Sequence, residues 1–137
     1  MTNNKHISIL TTNALGFNFL VKHKAIKFEN EDNLPLILHR TTSGVEIITY
    51  NKFIQDRHIF KEKKYTITQD FDPYQIQSYY NNKPFNWITN NCEDFVADVI
   101  RDVTDNTIKP RSPQRTFWIT LTAIILIAMI IVKYEKA

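Results

Sequence analysis

"FNFLVKHKAIKFENEDNLPLILHRTT", residues 17–42, sets two runs of branched and aromatic residues on either side of the polar turn ENEDN. In the first run Phe19, Val21, His23 and Ala25 are offset from Leu20, Lys22, Lys24 and Ile26, the two-residue period of a strand. The second run returns, so the stretch predicts an antiparallel hairpin. With the turn centred on Glu31, His23 falls opposite His39. Directly opposed residues hold their Cβ atoms roughly 4.5–5.5 Å apart, and a shift by one pair leaves the two as diagonal neighbours on the same face. Two of the four histidines therefore meet on one side of one hairpin.

Strands are expected on both sides of it. "KHISILTT" precedes, while "GVEIITYNKFI" and "HIFKEKKYTITQ" follow, all rich in β-branched and aromatic residues. The character then changes. "DPYQIQSYYNN" predicts a helix with Asp72 as N-cap and Pro73 at its first position. "NKPFNWIT" reads as a loop or short helical connection. In "NNCEDFVADVIRDV" the residues Phe95, Val96, Val99, Ile100 and Val103 share one face of an amphipathic helix. Strands followed by helices predict an α+β domain, an antiparallel sheet packed with helices. It spans residues 1–108, followed by a Pro-punctuated linker over 109–115.

Residues 116–133 form a different kind of segment. "TFWITLTAIILIAMIIV" carries no charge and is apolar around its circumference, except for threonines that can bond their own backbone. As a helix, Thr116–Val132 covers roughly 25 Å, a little under the ~30 Å of a hydrocarbon core. Trp118 and Tyr134 suit the two interfaces, and Arg115 and Lys133 can extend toward water. A small domain has too few elements to wrap such a helix on every side, so a transmembrane helix is expected. Lys109, Arg111 and Arg115 precede the span, against Lys133 and Lys136 after it. With no signal-peptide pattern at the start, the expectation is a single-pass, tail-anchored protein with a cytoplasmic domain.

The totals exclude several classes. A net charge of +3, with no basic stripe interleaved with aromatics, gives no basis for nucleic-acid binding. One cysteine excludes an internal disulfide framework and any Cys-based zinc site, and it suits a reducing compartment. His23 and His39 lack a third ligand, so neither a metal nor another cofactor is implied.

That cysteine, Cys92, lies at the start of the amphipathic helix, four residues before Val96 and seven before Val99. It shares the apolar face that must meet the sheet. A lone cysteine there is often a small packing residue. If the helix packs on the face that carries the histidines, however, thiol and imidazole are adjacent. His23 can then take the thiol proton, His39 can orient His23, and the Cys92 amide can donate to an oxyanion. His6 and His58 have no comparable neighbours and read as surface residues.

"FNWITNNCEDFVADV" resembles the cysteine motif of the lecithin:retinol acyltransferase-like family, in which Asn-Cys-Glu-His-Phe precedes a helix. "VKHKAIKF" and "LILHRT" resemble that family's two histidine strands, and the order His, His, Cys is the family's order. The resemblance covers most of Phe19 to Val103. It implies the permuted papain-like fold of the NlpC type, with Cys92 as nucleophile, His23 as general base, His39 as third polar residue and Asn91 retained in support. The implied chemistry is acyl transfer or hydrolysis on a membrane phospholipid ester through a thioester acyl-enzyme, with the acyl acceptor open. Three features depart from the pattern. Asp94 stands in place of the family histidine, Lys24 and Lys27 stand where aromatics are usual, and a glycine after the first histidine strand is missing. Two alternatives are a cysteine peptidase or isopeptidase on the same fold, and a non-catalytic membrane-bound interaction module.

Overall fold

A computed structural model describes residues 6–14, 17–85, 91–108 and 113–136 of the chain. Five strands form one antiparallel sheet: β1 (His6–Ala14), β2 (Phe17–Glu29), β3 (Pro35–Thr41), β4 (Gly44–Thr49) and β5 (Ile59–Thr66), in the order β4-β3-β2-β1-β5. The helices are α1 (Tyr50–Ile54), α2 (Pro73–Asn81), α3 (Cys92–Val103) and α4 (Pro113–Glu135). The architecture is α+β, as the sequence predicts.

The hairpin forms with its register displaced by one pair. Ile26 faces Leu38 and Glu29 faces Pro35, which centres the turn on Asp32 rather than Glu31. Asn30 sets this turn. Its side-chain oxygen accepts from the amides of Asp32 at 3.0 Å and Leu34 at 2.9 Å, and Asn33 takes the left-handed conformation with φ 59°. The β2–β3 ladder stops at Ile26 and Leu38. Toward Lys24 and Arg40 the two strands therefore continue without being paired to each other.

The two sheet faces are covered differently. On one, Ile7, Ile9, Ile26, Phe28, Leu38 and Val45 pack with Phe95, Val96, Val99, Ile100 and Val103 of α3. Each such large side chain contributes about 1.5–3 kcal/mol when fully buried, which makes this the main core. On the other face, Leu10, Ala25 and Ile37 pack with Phe53 of the short α1.

Helix α1 occupies residues that the sequence pattern assigns to a continued strand, Tyr50–Ile54 of "GVEIITYNKFI". Thr49 ends β4 by accepting the Lys52 amide at 3.3 Å, and Phe53 turns into the core. The expected caps of α2 are present, with Asp72 accepting from Tyr74 at 3.1 Å and Gln75 at 3.2 Å. The C-terminal end of α2 is fixed by the buried guanidinium of Arg40, which donates to the carbonyls of Tyr80 at 3.0 Å and of Lys83. This places a cation at the negative end of the helix.

Both sheet edges carry features that oppose the addition of a strand. At β4, Gln77 and Asn81 of α2 bond the Val45 carbonyl and amide at 3.0 and 2.7 Å. Gly44, with φ +141°, allows that approach, since a Cβ there would lie 2.7 Å from Asn81 Oδ1. The β5 edge carries the exposed Lys61, Lys63 and Lys64, a charge pattern that opposes strand addition.

Helix α4 begins at Pro113 and so takes in part of the linker predicted over 109–115; residues 109–112 and 86–90 lie outside the described part. Within α4, Trp118–Glu135 is long and apolar enough to cross a membrane, and none of that segment is buried against the domain. Thr122 returns its hydroxyl to the Trp118 carbonyl at 2.8 Å, which hides the hydroxyl's polarity within the helix. The contact between α4 and the domain runs through β2.

Candidate active site

His23 lies on β2, three residues past the last pair of the β2–β3 ladder, and His39 on β3, one residue past it. There the side chains bridge what the backbones do not. His23 Nε2 is 3.0 Å from His39 Nδ1, and the rings meet edge to face with centroids 5.2 Å apart. The displaced register makes them diagonal neighbours, close enough for this bond. Phe53 forms the floor under both rings, at 6.2 Å from His23 and 5.3 Å from His39.

Both imidazoles are buried, at 7% and 3% exposure. Burial disfavours a charged ring, and it is the largest influence on each. His23 is held well below its ordinary 6.5, first by burial, then by His39 and by the cation of Arg57. His39 falls to about 4 through burial, with Glu46 pulling it upward and Arg57 pushing it down. The pair is therefore neutral at physiological pH, and a neutral imidazole is the form able to accept a proton.

Glu46 faces His39 directly across the β3–β4 ladder, and its Oε2 is 3.3 Å from His39 Nε2. Arg57, just beyond α1, donates to the Asn13 carbonyl at 2.9 Å and lies over the Phe53 ring at 5.0 Å.

Cys92 is the first residue of α3 and is buried. Asn91 is the N-cap: its side-chain oxygen accepts from Glu93 at 3.0 Å and Asp94 at 3.1 Å, and Asp94 returns a bond to the Asn91 amide at 3.3 Å. This is a capping box. It gives the acid at position 94 a structural part in fixing the helix start.

The packing of α3 settles which sheet face its core residues cover. Its core residues cover the face of Ile26, Phe28 and Leu38, whereas His23 and His39 lie on the opposite face with Phe53. The reason is parity: a side chain at position 23 points away from those at 24, 26 and 28. The helix start nevertheless lies at the end of β2 where it parts from β3, since Glu93 Oε1 is 3.8 Å from Lys24 Nζ. Electrostatics links the two sets. Burial lowers the Arg57 guanidinium, with Cys92, Asp56 and Glu46 pulling it back up, and the same cation pushes His23 and His39 down.

Glu46, Phe53 and Arg57 escape the sequence reading. The T-T-S-G turn at 41–44 would have exposed Glu46, since closing that hairpin sets position 46 against 39. Arg57 gives no such signal, because its place depends on where the five-residue α1 ends. His6 and His58 are exposed, as expected. Among the described residues no group of three or more His, Cys, Asp or Glu is arranged to hold a metal ion.

Comparison of the chain with models of known protein families finds no match. Comparison with curated proteins and with solved structures finds none either.

Proposed function

We propose that the protein is a membrane-anchored cysteine acyltransferase or hydrolase of the permuted papain-like, NlpC-type fold, acting on phospholipid acyl esters. The observation that carries this reading is the buried His23–His39 pair, bonded at 3.0 Å where β2 and β3 part, with the buried Cys92 heading α3 and Glu93 beside it 3.8 Å from Lys24 of β2. In this reading the thiol on the α3 side and the imidazole on the α1 side meet through the gap between β2 and β3.

In this reading His23 takes the proton of Cys92, and Arg57 favours the resulting thiolate by charge. The sulfur attacks the ester carbonyl carbon. The developing oxyanion accepts a hydrogen bond from the Cys92 amide at the start of α3, where the helix dipole is positive. As the tetrahedral species collapses, the lysolipid alkoxide leaves with the proton held by His23, and an acyl thioester stays on Cys92. Water, an alcohol or an amine then gives up a proton to His23 and attacks the thioester. Fatty acid or an acylated acceptor is released and the thiol is restored.

Anchoring supports the lipid substrate. Helix α4 touches the domain at β2, the strand that carries His23. Tethering in the bilayer raises the effective concentration of lipid at the site, and the cationic residues before the span favour a cytoplasmic domain.

Wild-type protein in mixed micelles with short-chain phosphatidylcholine is expected to release fatty acid and lysolipid. Cleavage of unstructured or isopeptide-linked peptides, with the lipid untouched, would transfer the same residues to peptidase chemistry.

A further inference from the structure

The site contains a carboxylate that the acyl-transfer scheme does not use. Glu46 is half exposed, yet its Oε2 lies 3.3 Å from Nε2 of a ring that is almost wholly buried. The second nitrogen of that ring, Nδ1, is 3.0 Å from His23 Nε2. A carboxylate accepts hydrogen bonds and cannot donate them when ionised. The contact is not aligned as a hydrogen bond, but the carboxylate's charge draws the proton of a neutral His39 to Nε2 and leaves Nδ1 as an acceptor. The His23–His39 bond then has one possible donor, His23 Nε2–H. A neutral ring carries one proton, so His23 Nδ1 is bare.

We propose that Glu46 is a positioning residue that selects the tautomers of both histidines and leaves His23 Nδ1 as the proton-accepting atom. Direction passes from the solvent edge inward: carboxylate, His39, His23. Without Glu46 the carboxylate no longer selects between two arrangements, His23 donating to His39 or the reverse. In the second, the lone pair of His23 is spent on His39, and the only outward group on His23 is an N–H, which cannot accept a proton. This inference rests on the acyl-transfer reading for its effect on rate, but its effect on the rings stands apart from any activity.

The test uses full-length protein in detergent, labelled with 15N at histidine, with His23→Gln and His39→Gln spectra assigning the rings. At pH 7.5, two-bond proton–nitrogen correlations are expected to show both wild-type rings protonated at Nε2. In Glu46→Ala, which alters a half-exposed side chain on the edge strand, both rings are expected to move to mixed tautomers. Over the same variants, kcat for phosphatidylcholine should fall about 10- to 100-fold with KM unchanged. That is less than the ~10⁴-fold loss known for a triad locked in the wrong tautomer, because one productive arrangement remains populated. Glu46→Gln, which can accept or donate, should lie between. Protonation of wild-type His23 at Nδ1 would overturn the proposal, and so would wild-type tautomers persisting in Glu46→Ala. A tautomer change with an unaltered rate would overturn the positioning role. An inactive wild type with the expected ring pattern would remove the acyl-transfer reading and leave the tautomer selection standing.

Discussion

Replacing Cys92 by Ala is expected to abolish fatty acid release from short-chain phosphatidylcholine, and His23→Gln is expected to slow it about 10²- to 10⁴-fold. The two effects differ in kind. Alanine leaves no atom on which a thioester can form, so no covalent route remains. Glutamine can retain a hydrogen bond to His39 but has no basic nitrogen, so the thiol loses its proton acceptor while the fold keeps its contacts. Because Cys92 and His23 act in one step, the double variant should be no slower than Cys92→Ala. A Cys92→Ala protein with wild-type turnover would show that the thiol only packs the helix start.

Acidification is expected to destabilise the fold through the same imidazoles. The unfolded chain binds protons on its histidines near pH 6.5, whereas the folded chain holds His39 neutral down to about 4 and His23 neutral well below 6.5. Between those values the unfolded state carries more protons, so stability rises with pH there. The His39 contribution is complete above pH 6.5 and is lost progressively as the pH falls toward 4. It amounts to about 3 kcal/mol for His39, whose ring is too buried for solvent to screen much of it. Urea midpoints taken from pH 7.5 to pH 4.5 should fall more steeply in wild type than in His39→Asn, which cannot take up the proton. Equal slopes would mean that the imidazoles are hydrated rather than buried.

Much of this arrangement is legible in the residues. Alternation in "VKHKAIKF" gives β2, and Asp72-Pro73 and the apolar face of "FVADVIRDV" give α2 and α3. The meeting of His23 and His39 survives a one-pair error in register because diagonal neighbours on one face still touch. What the pattern does not carry is which face each layer covers. The apolar stripe of α3 and both sheet faces are hydrophobic, so periodicity alone cannot tell whether the helix lies over Ala25 and Ile37 or over Ile26 and Leu38. Helix α1 is too short to display a period. Its misreading as strand hid both Phe53 beneath the histidines and Arg57 beyond them. Asp94, which stands where the motif it resembles has a histidine, takes part in the capping box.

The most direct test of the central claim, that Cys92 is a nucleophile served by His23, is intact-mass spectrometry of the detergent-solubilised protein after brief incubation with short-chain phosphatidylcholine. The account predicts a single acyl-sized, hydroxylamine-sensitive adduct on wild type, absent from Cys92→Ala and strongly delayed in His23→Gln. An unmodified wild type that also releases no fatty acid, or an adduct that persists in Cys92→Ala, would contradict it.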